Sequence, residues 1–161
     1  MKNNIHPTAV IYDNVDIGKN VYIGAGCIIG APGEHKGFWN KKGKGVVIMD
    51  GTIITGNVCI DAGTSRPTVI SKDCFIMKGS YIAHDCFLSK GVTLSAGVKL
   101  AGFVEVGINT NLGMGAAVHQ RIKIPNNCMI GMNSTVIKDS HLINNGVYVG
   151  SPVRYIRSND R

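Results

Sequence analysis

His84 and Asp85 are the residues of this 161-residue chain whose types and spacing best suit catalysis. A histidine can accept or release a proton near neutral pH, and an adjacent carboxylate can orient its ring and stabilise the imidazolium. Steps of 18 residues lead from His84 to Gly102 and then to Gln120. Because glycine leaves its backbone N–H open, these positions predict acyl transfer from a thioester, with His84 as base and Gly102 as oxyanion donor.

A six-residue period gives the step of 18 its meaning. Helices require a period of 3.6 and ordinary strands a period of 2, so a strict six predicts short strands separated by turns. Three such strands make one coil of a parallel β-helix, and side chains 18 residues apart then stack. The repeated aliphatic residues are Ile5, Ile11, Ile17, Ile23, Ile29, Ile48, Ile54, Ile60, Ile70, Ile76, Ile82, Leu88, Leu94, Leu100, Val106, Leu112, Val118, Ile124, Ile130, Val136 and Leu142, enough for about seven coils.

The residue four positions after each aliphatic one is small or β-branched. Four of the five cysteines fall there, namely Cys27, Cys74, Cys86 and Cys128. We therefore expect them to be small buried residues, and an odd cysteine count without a CxxC pair fits a reducing compartment. No run of residues is long and apolar enough for a membrane span, and the sequence predicts a cytoplasmic protein.

Two interruptions break the period. The first covers residues 30–47, where Phe38 and Trp39 predict a loop that projects from the prism, docks, and helps to form a ligand cleft. The second is a three-residue insertion within residues 61–70. Arg66 and Pro67 are expected to bulge from a corner there, with a structural role favoured over a contact role.

The hexads resemble those of left-handed β-helix acyltransferases over nearly the whole chain. The resemblance implies an all-β fold, a left-handed parallel β-helix of about seven coils in a single domain spanning residues 1–161. A short C-terminal tail is expected after the coils. Members of this group are trimers with active sites between neighbouring prisms, so a homotrimer is also implied.

The corner "YIAHDC" resembles that of UDP-N-acetylglucosamine acyltransferases, the first enzymes of lipid A synthesis in lipopolysaccharide biosynthesis, and that of N-acetyltransferases for UDP-4-amino sugars. The likeness continues in "LAGFVEVG" and "GMGAAVHQRIKI". It implies that His84 is the general base, beside Asp85, and that Gly102 supplies the oxyanion N–H. It also implies substrate-binding positions at Gln120, His119, Phe103, Glu34, His35 and Lys36.

The acyl donor is suggested by the C-terminal segment "GVYVGSPVRYI", which resembles the ending of CoA-dependent hexapeptide acetyltransferases, although Val153 replaces the usual alanine. Acetyl-CoA is therefore the expected cosubstrate, with no permanently bound cofactor. The net charge of +7 would suit its phosphates, and the candidate contacts are Lys123, Lys138, Arg154 and Arg157. The chain departs from the lipid A enzymes by having Phe103 in place of a second histidine and by lacking their C-terminal helical domain.

The favoured function is therefore transfer of an acetyl or short acyl group to an amino group of a nucleotide-linked sugar. Alternatives within the same class are sugar O-acetylation and transfer from acyl carrier protein, as in lipid A enzymes. A γ-type carbonic anhydrase would need a third suitably spaced histidine on zinc, so no metal is expected. A non-catalytic scaffold is the non-enzyme alternative, and scattered cations without aromatic interleaving argue against nucleic acid.

Overall fold

A computed structural model describes residues 2–160, which form 22 short strands and no helix. Val, Ile and Thr in the strands and Gly, Asn or Asp at the corners follow ordinary strand and turn preferences. The strands are β1 (Asn4–Ile5), β2 (Val10–Ile11), β3 (Val15–Ile17), β4 (Tyr22–Ile23), β5 (Ile28–Ala31), β6 (Val46–Ile48), β7 (Ile53–Ile54), β8 (Cys59–Asp61), β9 (Thr68–Ile70), β10 (Phe75–Ile76), β11 (Tyr81–Ile82), β12 (Phe87–Leu88), β13 (Thr93–Leu94), β14 (Lys99–Leu100), β15 (Glu105–Val106), β16 (Asn111–Leu112), β17 (Ala117–Val118), β18 (Lys123–Ile124), β19 (Met129–Ile130), β20 (Thr135–Val136), β21 (Gly146–Gly150) and β22 (Val153–Ser158).

The strands stack into three sheets that are the three faces of a β-helix. Every third strand lies in the same sheet, as in the seven-stranded order β2-β5-β8-β11-β14-β17-β20. In that sheet Ile82 pairs in parallel with Leu100, and Leu100 with Val118, so the predicted stacking at 18 residues is confirmed. The sheet fixes seven coils, and β21 begins an eighth.

The repeated aliphatic residues form the core. Those from Ile23 to Val136 are at most 3% exposed, whereas Ile5, Ile11, Ile17 and Leu142, near the two ends of the stack, are less buried. Burial of each such side chain contributes roughly 1.5–3 kcal/mol to folding. The four cysteines expected in the core are buried there, and burial raises the pKa of the Cys86 thiol to about 12.

Both interruptions of the period lie on one edge of the prism. The loop connects β5 to β6 and therefore spans residues 32–45, and the insertion connects β8 to β9 one coil later. The two segments touch, since the Lys44 N–H donates to the Gly63 carbonyl at 2.7 Å. The prediction that Trp39 docks is wrong within this chain: the residue is 65% exposed. It lies on a local turn closed by the Phe38 N–H bond to the His35 carbonyl, and only Phe38 is half-buried.

The C-terminal segment is more ordered than a tail. Strands β21 and β22 form an antiparallel hairpin, and β21 adds to the end of the nine-stranded sheet. Tyr148 is 1% exposed, and its hydroxyl bonds the Ile143 backbone, so its ring closes this end of the core. Residues 2–160 contain no helix that could span a membrane.

Candidate active site

His84 lies at the corner between β11 and β12, directly after the strand pair that buries Ile82. Its side chain is mostly buried, and its Nδ1 lies 2.7 Å from Oδ2 of Asp85. An ionised carboxylate can only accept hydrogen bonds, so the ring hydrogen is on Nδ1. Nε2 therefore keeps its lone pair, which is the state that a general base requires.

Asp85 is fully buried, and both of its oxygens are saturated with donors. Oδ2 accepts from the Thr64 N–H and hydroxyl and from His84, while Oδ1 accepts from the Ser65 N–H and hydroxyl and from the Arg66 N–H. Burial alone would raise the pKa of Asp85, but the backbone N–H groups of Arg66, Thr64 and Ser65 outweigh it and hold the pKa well below its usual value. Asp85 is thus a fixed anion that orients His84 and takes no proton.

The donors to Asp85 come from the three-residue insertion, for which the sequence had favoured a purely structural role. Thr64, Ser65 and Arg66 wrap the carboxylate, and the Arg66 Nε also donates to the Asp85 carbonyl at 3.1 Å. A signal was available: one coil plus three inserted residues back from Asp85 leads to Thr64, so the insertion had to lie beside the histidine. Thr64, Ser65 and Arg66 are the positioning residues that sequence reasoning missed.

Gly102 lies directly under the His84 ring. An ideal Cβ on Gly102 would be 2.6 Å from Cε1 and 2.8 Å from Nε2 of His84, so the ring occupies the space of a side chain. No acceptor among residues 2–160 takes the Gly102 N–H. A free backbone donor therefore lies next to the basic nitrogen, which is the arrangement that an acyl-transfer base and oxyanion donor need.

We expect Gly102→Ala to lower kcat/KM for acyl transfer by about 100-fold, because the new methyl group must push the ring off Asp85, and small displacements of catalytic groups cost about that much. Steady-state kinetics would measure the loss. The matched control is Gly79→Ala, at another corner, where a Cβ meets nothing within 4 Å but φ is +72°. That variant should lose about 1 kcal/mol of stability and keep its activity. Equal activities of the two variants would contradict the assigned position of the ring.

A cleft of about 310 Å³ opens over His84, and Thr64, Phe103 and Gln120 contribute to its walls. The loop closes one side with His35, whose ring centroid is 6.1 Å from that of His84. The loop can approach this closely because a Cβ on Gly33 would lie only 2.9 Å from that of His84.

The other predicted site residues lie at varying distances from this cleft. Glu34 and Lys36 line a neighbouring hollow with His35 and Trp39, and His119 is exposed at the corner two coils further on. Lys138 continues the column of Gln120 by one coil. Lys123 pairs with Glu105 at 3.1 Å, and Arg154 and Arg157 are exposed on the hairpin. Their roles in binding substrate or acetyl-CoA stay predictions.

A buried acid–phenol pair lies beside the cleft and was not anticipated. The Tyr81 hydroxyl donates to Oδ2 of Asp61 at 2.6 Å, and Asp61 is 4% exposed. Burial raises the pKa of Asp61, with partial compensation by the Tyr81 hydrogen bond. Asp61 also accepts from the Glu34 N–H at 3.4 Å, so the pair anchors the start of the loop near His84.

Curated relatives of the chain are sugar acyltransferases, although no protein-family model matches it. It is 29% identical over 135 residues to a UDP-3-O-acylglucosamine N-acyltransferase of Hahella chejuensis, which covers 80% of this chain and 39% of the relative. It is 35% identical over 115 residues to an acyl-[acyl-carrier-protein]–UDP-N-acetylglucosamine O-acyltransferase of Rickettsia canadensis, which covers 70% and 43%. The chain thus spans about two fifths of the length of these relatives.

Solved structures share the fold over nearly the whole chain. UDP-N-acetylglucosamine acyltransferase from Campylobacter jejuni superposes with a TM-score of 0.81 at 27% identity, covering 97% of this chain and 75% of that one. A histidine-to-alanine mutant of GDP-perosamine N-acetyltransferase from Caulobacter crescentus, in complex with CoA and GDP-perosamine, gives 0.63 at 24%, covering 98% and 58%. The second likeness concerns the fold alone. The resemblance stated from the sequence and the left-handed β-helix are therefore confirmed.

Proposed function

We propose that this left-handed β-helix chain, which is similar to hexapeptide-repeat acyltransferases, moves an acetyl or short acyl group from acetyl-CoA to an amino group of a nucleotide-linked sugar. One observation carries the proposal above the others. His84 is held by the saturated carboxylate of Asp85 with its Nε2 free and beside the open N–H of Gly102. A scaffold would gain nothing from such an arrangement.

The reaction uses each of these groups in turn. Nε2 of His84 takes a proton as the acceptor amine attacks the thioester carbon, and the carbonyl oxygen becomes an anion that the Gly102 N–H stabilises. The C–S bond then breaks, and the imidazolium returns its proton to the leaving sulfur, which gives the free thiol. Asp85 stabilises the imidazolium throughout and stays ionised.

A carrier-protein thioester is the second candidate donor. The Rickettsia canadensis relative carries acyl carrier protein in its name, and the net charge of +7 would attract an acidic carrier as well as CoA phosphates. The mechanism at His84 is the same for either donor, and also for a hydroxyl acceptor. We further propose a homotrimer, since the cleft of one prism is open on one side, and a place in lipopolysaccharide synthesis.

The proposal is tested by thiol release from acetyl-CoA against a panel of UDP-, dTDP- and GDP-linked amino sugars, with the matching neutral sugars as controls. We expect release with one acceptor and formation of its N-acetyl product, identified by mass. A parallel series with acetylated carrier protein separates the two donors. Release of no thiol from either donor with any acceptor would contradict the enzyme proposal and favour a scaffold.

A further inference from the structure

Two bulky residues adopt a backbone conformation that this fold otherwise reserves for small polar ones. Phe103 has φ +63° and Arg121 has φ +62°. Every other non-glycine residue of the described chain with a positive φ is an asparagine or an aspartate. The left-handed region is unfavourable for side chains with a Cβ, and Asn and Asp tolerate it best. Asp85, Phe103 and Arg121 form one column, so the exceptions lie directly above the anchor of His84.

The strain places three side chains in a row. The Phe103 ring meets the His84 ring edge-to-face, with centroids 5.4 Å apart, and the Arg121 guanidinium lies 4.2 Å from the centroid of the Phe103 ring. Phe103 thus buttresses the base on one side and carries a cation on the other. Backbone strain that persists beside a reactive group points to a function, since folding alone favours asparagine at both positions.

Arg121 is prepared to bind an anion. Glu105 is occupied by its two other neighbours, since Oε1 accepts from Arg66 at 3.0 Å and Oε2 from Lys123 at 3.1 Å. Arg121 forms no ion pair within residues 2–160, and stacking on Phe103 restricts its rotamers while leaving its N–H donors free. A guanidinium held in this way suits the bidentate binding of a phosphate.

Two hollows share Phe103 and Arg121 as their common wall. One is the cleft over His84, and the other, of about 280 Å³, is lined also by Arg66, Glu105 and Lys123. The phosphate must therefore lie close to the reacting group. In a CoA thioester the whole pantetheine arm separates the carbonyl from the nearest phosphate, whereas in a nucleotide sugar only the sugar ring separates the reacting amine from the diphosphate.

We propose that Arg121, stacked on Phe103 and flanked by Arg66 and Lys123, binds the diphosphate of the acceptor nucleotide sugar while the sugar occupies the cleft over His84. The inference rests on the proposed function for the identity of the acceptor. It adds the residue that recognises the phosphate, and it assigns that phosphate to the acceptor and not to the donor.

The test is equilibrium binding of inorganic pyrophosphate, UDP-N-acetylglucosamine and CoA to the wild type and to Arg121→Asn, which removes the guanidinium and suits the left-handed backbone. We expect the dissociation constants for pyrophosphate and the nucleotide sugar to rise about 10–100-fold, and that for CoA to change less than about threefold. The melting temperature should stay the same or rise by about 2–4 °C, because strain is relieved. Arg121→Lys should recover part of the affinity.

Lys78→Asn is the control, since Lys78 is an exposed cation at a different corner and its loss removes the same charge. Loss of CoA affinity alone would overturn the assignment to the acceptor. Unchanged affinities, equal losses with Lys78→Asn, a fall in melting temperature with unchanged binding, or a wild type that binds none of the three probes would overturn the phosphate site. Binding is measured without turnover, so failure here is distinguishable from failure of acyl transfer.

Discussion

Replacing His84 with alanine is expected to reduce kcat/KM for acyl transfer by about 10²–10⁴-fold, the range lost with a general base. The variant should remain folded, since Asp85 keeps five donors from Thr64, Ser65 and Arg66 without the ring. The measurement is thiol release at saturating acceptor, with the melting temperature recorded alongside. The loss should be in kcat more than in KM, because the proton is transferred in the transition state.

His141→Ala provides the matched control, since His141 is an exposed histidine outside the cleft. It should leave both the rate and the melting temperature unchanged. A His84→Ala protein that turns over within a few-fold of wild type would mean that His84 only fills a corner, and the proposed mechanism would be wrong.

Replacing Asp85 with asparagine should have a second large effect, on rate and on stability together. An amide NH2 in place of one oxygen faces three donors that have nothing left to bond, at a cost of about 3 kcal/mol or more. If the NH2 turns toward His84, Nδ1 must become the acceptor and the ring hydrogen moves to Nε2, which removes the base. We expect kcat to fall about 10³–10⁴-fold and the melting temperature to fall by about 6–12 °C.

The acid sensitivity of stability should change in the same variant. The pKa of Asp85 is lower in the folded protein than in the unfolded chain, so its stabilisation is present above about pH 4 and is lost as the pH falls below that value. Melting temperatures of wild type and Asp85→Asn should therefore converge at acidic pH. Asp73→Asn is the control, since Asp73 has φ +58° at another corner but an exposed carboxylate. Parallel melting curves across the whole pH range would contradict the anionic role of Asp85.

The fold was predictable because its determinants are periodic. The aliphatic residue at every sixth position specifies which side chains are buried, and stacking at 18 places Gly102 over His84 without further information. Periodicity does not specify handedness, which came from the resemblance and was confirmed by the solved structures. It also says nothing about the hairpin of β21 and β22, whose pairing depends on a reversal of chain direction that the repeat does not contain.

The site was predictable only as far as it follows the repeat. His84, Asp85 and Gly102 lie where the register places them, but their chemical roles stay predictions. Thr64 and Ser65 were missed because an insertion has no register, and its hydrogen bonds form only after the coil has folded around it. Arg121 was missed because a left-handed backbone at a bulky residue leaves no mark in the sequence: the corner reads like any other until φ is known.

The position of β11 has a consequence for local unfolding. This strand is the fourth of seven in its sheet, so the His84 corner has three coils on each side. In a stacked repeat each coil contacts only its neighbours, and opening events start at the ends. Amide groups of the first coils, where Ile5 and Val10 are exposed, can therefore exchange with solvent through fraying that never reaches the centre. The catalytic corner opens only when most of the stack has come apart.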